Sequence, residues 1–287
     1  MAVDTLQEKI RKTKNPTMLE LCFAREDIPA QFLSEGESVC AAYTSYAREL
    51  LTALKDIIPA VRVSFASFAL LGADGMAAMQ EVLAVAKKLG YYVALDAPEL
   101  LSAKTAVVAA TAFLDWRCDG LIISGYAGSD VIKPFLSYCK EGKKDIFVVA
   151  RTANKSAPEL QDLLSGGRLV HAAAADHVNR YGADTAGKFG YTRVGILAAA
   201  SSAQSLKDLR NKYPKLFIVI DGGDYPNANA KNCSNAFDKF GHGAVAVIGS
   251  SIYAAWKQGE EGTDPIVAAQ EAAQRMKKNL TRYVTIL

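Results

Sequence analysis

Residues 61–96, VRVSFASFALLGADGMAAMQEVLAVAKKLGYYVALD, hold the pattern that decides the fold. Val61–Ala66 (VRVSFA) and Tyr91–Asp96 (YYVALD) are short, nearly continuous apolar runs, as expected of strands covered on both faces. Between them, Ala77–Leu89 sets Met79, Val82, Leu83, Ala86 and Leu89 on one helical face, and Gly90 stops the helix before the second run. Six more runs of the same kind flank this unit: Met18–Phe23, Gly120–Ser124, Ile146–Arg151, Arg193–Ala198, Leu216–Asp221 and Ala244–Gly249. Eight strands alternating with helices in a chain of this length predict an α/β fold, a single (β/α)8 TIM barrel spanning 1–287.

Two additions to the plain repeat are expected. The long stretch between the fifth and sixth strands predicts an extra helix around 169–187, with Leu169–Tyr181 as its body. Thr263-Asp264-Pro265 opens a C-terminal helix over 264–282. Ser156-Ala157-Pro158-Glu159 reads as a capping box with proline in the first turn. An open doubly wound sheet is the structural alternative, but CFAREDIPAQF after the first strand lacks G-x-G-x-x-G. No Pro/Gly/Ser-rich linker divides the chain.

Composition removes several classes of function. The 33 basic and 30 acidic residues give a net charge of +3, too balanced for an electrostatic nucleic-acid binder. No apolar run reaches the ~18 residues of a membrane span, and the polar start MAVDTLQEKIRK does not read as a signal peptide. Cys22, Cys40, Cys118, Cys139 and Cys233 are odd in number and form no C-x-x-C, which suits reduced thiols in the cytoplasm. His171, His177 and His242 have no metal-ligand spacing, and the first two are expected on a solvated helix face. The run Lys9, Arg11, Lys12, Lys14, alternating with Leu6 and Ile10, is expected to be another. The expectation is a cytoplasmic protein with no metal, no cofactor, and no nucleic-acid or membrane partner.

In such barrels chemistry sits where the strands end. That places Cys22, Arg62, Asp96, Ser124 and Tyr126 at the mouth, with Arg151, Thr152 and Asn154 after the fifth strand. Asp221, Gly222, Gly223 and Asp224 follow the seventh. Gly249, Ser250 and Ser251 follow the eighth, where backbone N–H groups opening a helix can accept an anion. Tyr126, Tyr225 and Tyr253 could line a ligand pocket there.

Several of these segments carry a family likeness. Ile146–Leu163 (IFVVARTANKSAPELQDL) resembles the V-R-T-S-N-x-x-[ADS]-x-x-L-Q segment of the orotidine 5′-phosphate decarboxylases common in bacteria. Gly125–Leu136 (GYAGSDVIKPFL) resembles their P-Y-x-G-x-D-x-x-x-P-F-L. Lys9–Pro29, Pro59–Gly72 and Gly190–Pro214 resemble further family segments in the right order. The resemblance implies a barrel, a homodimer, a nucleotide-like small-molecule ligand and a carboxy-lyase activity in pyrimidine metabolism.

The family's reactive residues carry over poorly. Its D-A-K-R-G-D-I-x-x-T-A signature appears as Asp96–Ala106, DAPELLSAKTA. The lysine that protonates the product carbanion is matched by Pro98. The aspartate lent across the dimer interface is matched by Leu101, and the strand-two lysine by Arg62. The strand-one aspartate falls near Leu21–Phe23, where there is no carboxylate. Asp96 and Arg62 remain as catalytic remnants, and Lys104 is the lysine close by in sequence. The family's phosphate-gripping P-G-x-G-A-Q-G-G and N-S-S-R-x-I are matched by DGGDYPNA (221–228) and GSSIY (249–253), without the glutamine or the arginine.

Decarboxylation at a pyrimidine ring carbon leaves a carbanion that needs an adjacent cation and a proton donor. Proline supplies neither, and a guanidinium is a poor proton donor. The expectation is therefore a decarboxylase-like barrel that has lost the reaction, either non-catalytic or of changed specificity. Two other readings stay open: an active decarboxylase using a rearranged Arg62/Asp96/Lys104 network, and a structural or regulatory subunit with a closed mouth.

Overall fold

In the computed structural model, which describes residues 2–33, 38–99, 102–224 and 229–287, eight parallel strands close into a barrel. They are β1 (Thr17–Leu21), β2 (Ala60–Ser64), β3 (Tyr92–Asp96), β4 (Gly120–Ser124), β5 (Asp145–Val149), β6 (Thr192–Ala199), β7 (Leu216–Asp221) and β8 (Ala244–Ile248). Each strand pairs with its sequence neighbours, and β1 pairs with β8 to complete the ring. All eight predicted strands are present, with ends shifted by at most a residue or two. Nearly every strand residue is buried, which is why the sequence shows continuous Val/Ile/Leu runs.

The helices follow the same order: α1 (Ala2–Thr13), α2 (Val39–Leu54), α3 (Phe65–Ala69), α4 (Gly72–Lys88), α5 (Ala103–Phe113) and α6 (Leu136–Lys140). After β5 come α7 (Pro158–Gln161) and α8 (Val170–Gly182), then α9 (Ala203–Lys212), α10 (Ala230–Ser234), α11 (Ser250–Tyr253) and α12 (Pro265–Thr281). Asp264 caps α12 by accepting from the Ile266 and Val267 amides, as the Thr-Asp-Pro reading expects. The extra helix is α8, preceded by a small antiparallel hairpin, Leu164–Ser165 with Arg168–Leu169. No described helix is long and apolar enough to cross a membrane.

The barrel floor is sealed from both sides. Within it, Tyr92, Phe147 and Phe217 fill the space that Gly120 and Gly195 leave open. A Cβ on Gly120 would sit 2.5 Å from Tyr92 Oη, and one on Gly195 would sit 2.9 Å from the Phe147 ring. Beneath it, α1 buries Val3, Leu6 and Ile10 and sends Asp4 to Arg193 at 3.2 Å.

Two local expectations are corrected. The capping box at 156–159 does not form: Ala157 is helical, and the Ser156 hydroxyl accepts from Asn154 Nδ2 at 2.9 Å instead. The short α7 leaves a serine little to cap, so the turn before it takes the side chain. His171 is buried rather than solvated, because α8 packs that face onto the neighbouring turns; His177 is exposed. The basic run is solvated as expected, with Arg11, Lys12 and Lys14 exposed; within it, Arg11 Nε and Lys14 Nζ donate to the Leu287 and Ile286 carbonyls, both at 2.8 Å, and tie down the C-terminal residues.

Candidate functional site at the barrel mouth

Arg62 rises from the middle of β2 into the mouth and is almost fully buried. Its Nε and Nη2 reach Asp96 Oδ2 at 3.0 and 2.6 Å, and Nη1 reaches Asp221 Oδ1 at 2.6 Å. Nη2 also lies 3.2 Å from Glu20 Oε1. Strand register brings these groups together: Glu20 pairs directly with Arg62 across β1 and β2, while Asp96 and Asp221 end β3 and β7.

Glu20 corrects the reading of strand one. The family's strand-one motif puts its aspartate near Leu21–Phe23, one to three residues past the carboxylate that enters the mouth. In a buried strand, alternate residues share a face, so Glu20 enters the same layer as Arg62 although the motif match passes it by. The alternation in MLELCF was the signal that could have found it.

The cluster carries more acid than base. Burial alone would lower the Arg62 pKa, but Asp96, Asp221 and Glu20 outweigh it and hold the guanidinium charged. Burial pushes Glu20 up to about 7 against the pull of Arg62, with Asp221, Asp96 and Asp224 adding repulsion. Burial also raises Asp96, an effect that Arg62 partly offsets. One guanidinium among three carboxylates leaves a surplus negative charge, and a proton on Glu20 relieves it most readily.

The anion cradle after β8 is filled by the chain itself. Asp224 accepts from the Gly249 amide, from the Ser251 amide at 3.3 Å and from the Ser251 hydroxyl. The loop can return to this point because Gly222 takes a positive φ of 73° and Gly223 packs where a Cβ would meet the Val247 carbonyl at 2.5 Å. A Cβ on Gly249 would lie 3.1 Å from both Asp224 Oδ2 and Glu20 Oε2, so the cradle and the Arg62 cluster adjoin. Ser250 is exposed.

The other predicted positions are not gathered at this cluster. Lys104 is exposed in the first turn of α5, and the ion pairs of Arg62 run to Glu20, Asp96 and Asp221 rather than to any element of that helix. Arg151 grips Asp162 with two parallel bonds of 3.0 and 2.9 Å. The Thr152 amide donates to Gln161 Oε1 at 2.8 Å, and Asn154 turns to Ser156. Ser124 Oγ accepts from the Tyr126 amide at 3.3 Å. Tyr126 and Tyr253 spend their hydroxyls on the Ala150 and Cys22 carbonyls, at 2.6 and 2.8 Å. Pro98 is half-buried just beyond β3. Leu101 and Tyr225 lie outside the described residues. Among the described residues no three His, Cys, Asp or Glu side chains are grouped to hold a metal ion.

Comparison with known proteins agrees on ancestry. The chain is 27% identical to an orotidine 5′-phosphate decarboxylase of Clostridium novyi over 98% of its own length and 99% of that protein's. It is 30% identical to one of Rhodopirellula baltica over 78% of its length and 77% of the relative's. Among solved structures, a putative orotidine 5′-phosphate decarboxylase of Streptomyces avermitilis superposes with a TM-score of 0.80 at 20% identity, covering 98% of this chain and 95% of that one. Leishmania donovani UMP synthase matches with a TM-score of 0.75 at 24% identity over 96% of this chain, which spans 56% of that longer protein. A profile of the orotidine 5′-phosphate decarboxylase / HUMPS family matches residues 48–264, and it is to this family that the chain belongs.

Proposed function

We propose that this barrel has given up decarboxylation of orotidine 5′-phosphate and serves as a binding protein or an enzyme of changed specificity. The observation that carries this reading is the pairing at the mouth. The cation there is a guanidinium held by three carboxylates, and the adjoining backbone amides are taken by Asp224. A ring carbanion would meet a group that stays protonated, and a phosphate dianion would have to displace a carboxylate. The family resemblance further supports a homodimer. The five free thiols support a cytoplasmic setting.

A second reading, an active decarboxylase, is favoured by the names of relatives that align along nearly the whole chain. It would draw on Arg62, Asp96 and Lys104 in an arrangement unlike the family's lysine-centred one.

Purified protein mixed with orotidine 5′-phosphate and followed by absorbance separates the two. The expected result is no turnover above the blank, together with uridine monophosphate binding weaker than micromolar by calorimetry. Turnover that disappears in Asp96→Ala would establish the second reading. Micromolar binding of the nucleotide would defeat the argument from Asp224. Solution scattering that fits a monomer would remove the dimer.

A further inference from the structure

Beyond the Arg62 cluster, three side chains from separate parts of the chain converge on one cavity. Asp162 follows α7, His171 lies in the first turn of α8, and Ser205 lies in the first turn of α9. His171 Nδ1 is 3.1 Å from Asp162 Oδ1, and His171 Nε2 is 3.3 Å from Ser205 Oγ. Nδ1 also lies 3.0 Å from the Gln161 carbonyl oxygen, which can only accept. The proton therefore belongs on Nδ1, and Nε2 is left to accept the serine hydroxyl. The two parallel bonds from Arg151 fix Asp162 and hold its carboxyl below the usual carboxylate range.

Asp162, His171 and Ser205 all line a cavity of about 330 Å³ whose apolar walls include Leu169, Ala172 and Leu209. Ser202 caps α9 by accepting the Ser205 amide at 3.3 Å. The Ala203 and Gln204 amides of the same turn have no acceptor within the helix and can receive an oxygen that gains negative charge.

We infer that Ser205, His171 and Asp162 form a nucleophilic acyl-transfer site, separate from the Arg62 cluster, that hydrolyses short-chain carboxylic esters. Ser205 Oγ bonds to the acyl carbon while its proton passes to His171 Nε2. The ester C–O bond then breaks, and the departing alcohol takes that proton. Water adds to the acyl-serine with His171 accepting and returning a proton, so that the acid leaves and the serine is restored. A cavity of this size has room for a small acyl group. The competing role, a hydrogen-bond brace tying residues 151–171 to α9, predicts no reactivity.

The test uses the whole chain, a fluorophosphonate probe and p-nitrophenyl acetate. One adduct is expected, mapped by mass spectrometry to Ser205. Ser205→Ala and His171→Gln should each lower ester hydrolysis about 10²–10⁴-fold. Asp162→Asn should slow labelling while circular dichroism stays unchanged, since that carboxylate positions the imidazole. Should His171→Gln disturb folding, Ser205→Ala decides alone, because its side chain is small and half-buried. An unlabelled wild-type protein, an adduct elsewhere, or hydrolysis unchanged in Ser205→Ala would overturn the assignment.

Discussion

Two buried arginines at opposite ends of the barrel satisfy their guanidinium groups in opposite ways. Arg210, in the last turn of α9, donates only to backbone carbonyls: Ala236 at 2.7 Å, Pro214 at 3.0 Å, Leu216 at 2.8 Å and Gly243 at 2.7 Å. Burial there pulls its pKa down to about 10. Arg62, at the mouth, takes side-chain carboxylates and more of them than its charge requires. The first arrangement is a clamp, in which one guanidinium gathers carbonyls from the segments that lead into β7 and β8. The second keeps an unbalanced cluster that folding does not need, since a buried ion network is often no more stable than apolar packing. The surplus charge sits at the C-terminal ends of the strands, the end where barrels of this kind carry chemistry, while the guanidinium at the other end is satisfied by backbone dipoles alone.

That contrast can be broken by substitution. The largest effect is expected from Arg62→Met, which leaves Glu20, Asp96 and Asp221 facing one another without a cation. Urea unfolding at neutral pH should show a loss of about 3–5 kcal/mol, shrinking as the medium is acidified. A loss that ignores pH would mean the carboxylates do not depend on the arginine. Arg210→Met should cost less, roughly 1–3 kcal/mol, for carbonyls left without a donor. Its penalty should be flat with pH, because no carboxylate contacts that guanidinium among the hydrogen bonds above. A strongly pH-dependent penalty would undo the distinction.

The smallest expected effect sharpens the comparison by titration. Glu20 sits at about 7 in the fold against an ordinary 4.5. The folded state thus keeps a proton that the unfolded chain has released, and stability falls as pH rises from about 4.5 to about 7. The contribution is on the order of 1–3 kcal/mol. Asp145, hydrogen-bonded to Tyr92 at the floor and raised by burial to about 8, slopes the same way. Comparing wild type with Glu20→Gln isolates the mouth: the variant should lose part of the slope below pH 7. Parallel curves for the two proteins would show that Glu20 is ionised throughout.

The strands were legible because each is local. LFIVID and GLIIS need no partner to be read, and their ends came out at Leu216–Asp221 and Gly120–Ser124 as expected. The mouth was half legible. Asp96 and Asp221 follow from their places at strand ends and Arg62 from its match to the family's strand-two lysine, but that they form one ion cluster depends on which strands are neighbours. Glu20 was passed over because a motif match weighs position along the chain, whereas the barrel weighs which face a residue takes. Lys104 is close to Asp96 in sequence, but its place in the first turn of α5 turns it to solvent, as a lysine at that position of a helix is expected to be.

Local hydrophobic order, then, was enough for a parallel barrel with its chemistry-bearing end, since burying those apolar runs leaves the backbone few other arrangements. It could not tell that Asp224 folds back onto Gly249 and Ser251, or that Asp162, His171 and Ser205 meet. Such contacts join residues up to tens of positions apart, and their distances are set by how neighbouring βα units stack. No composition or spacing encodes that stacking; only the closed ring of strands puts those atoms within reach of one another.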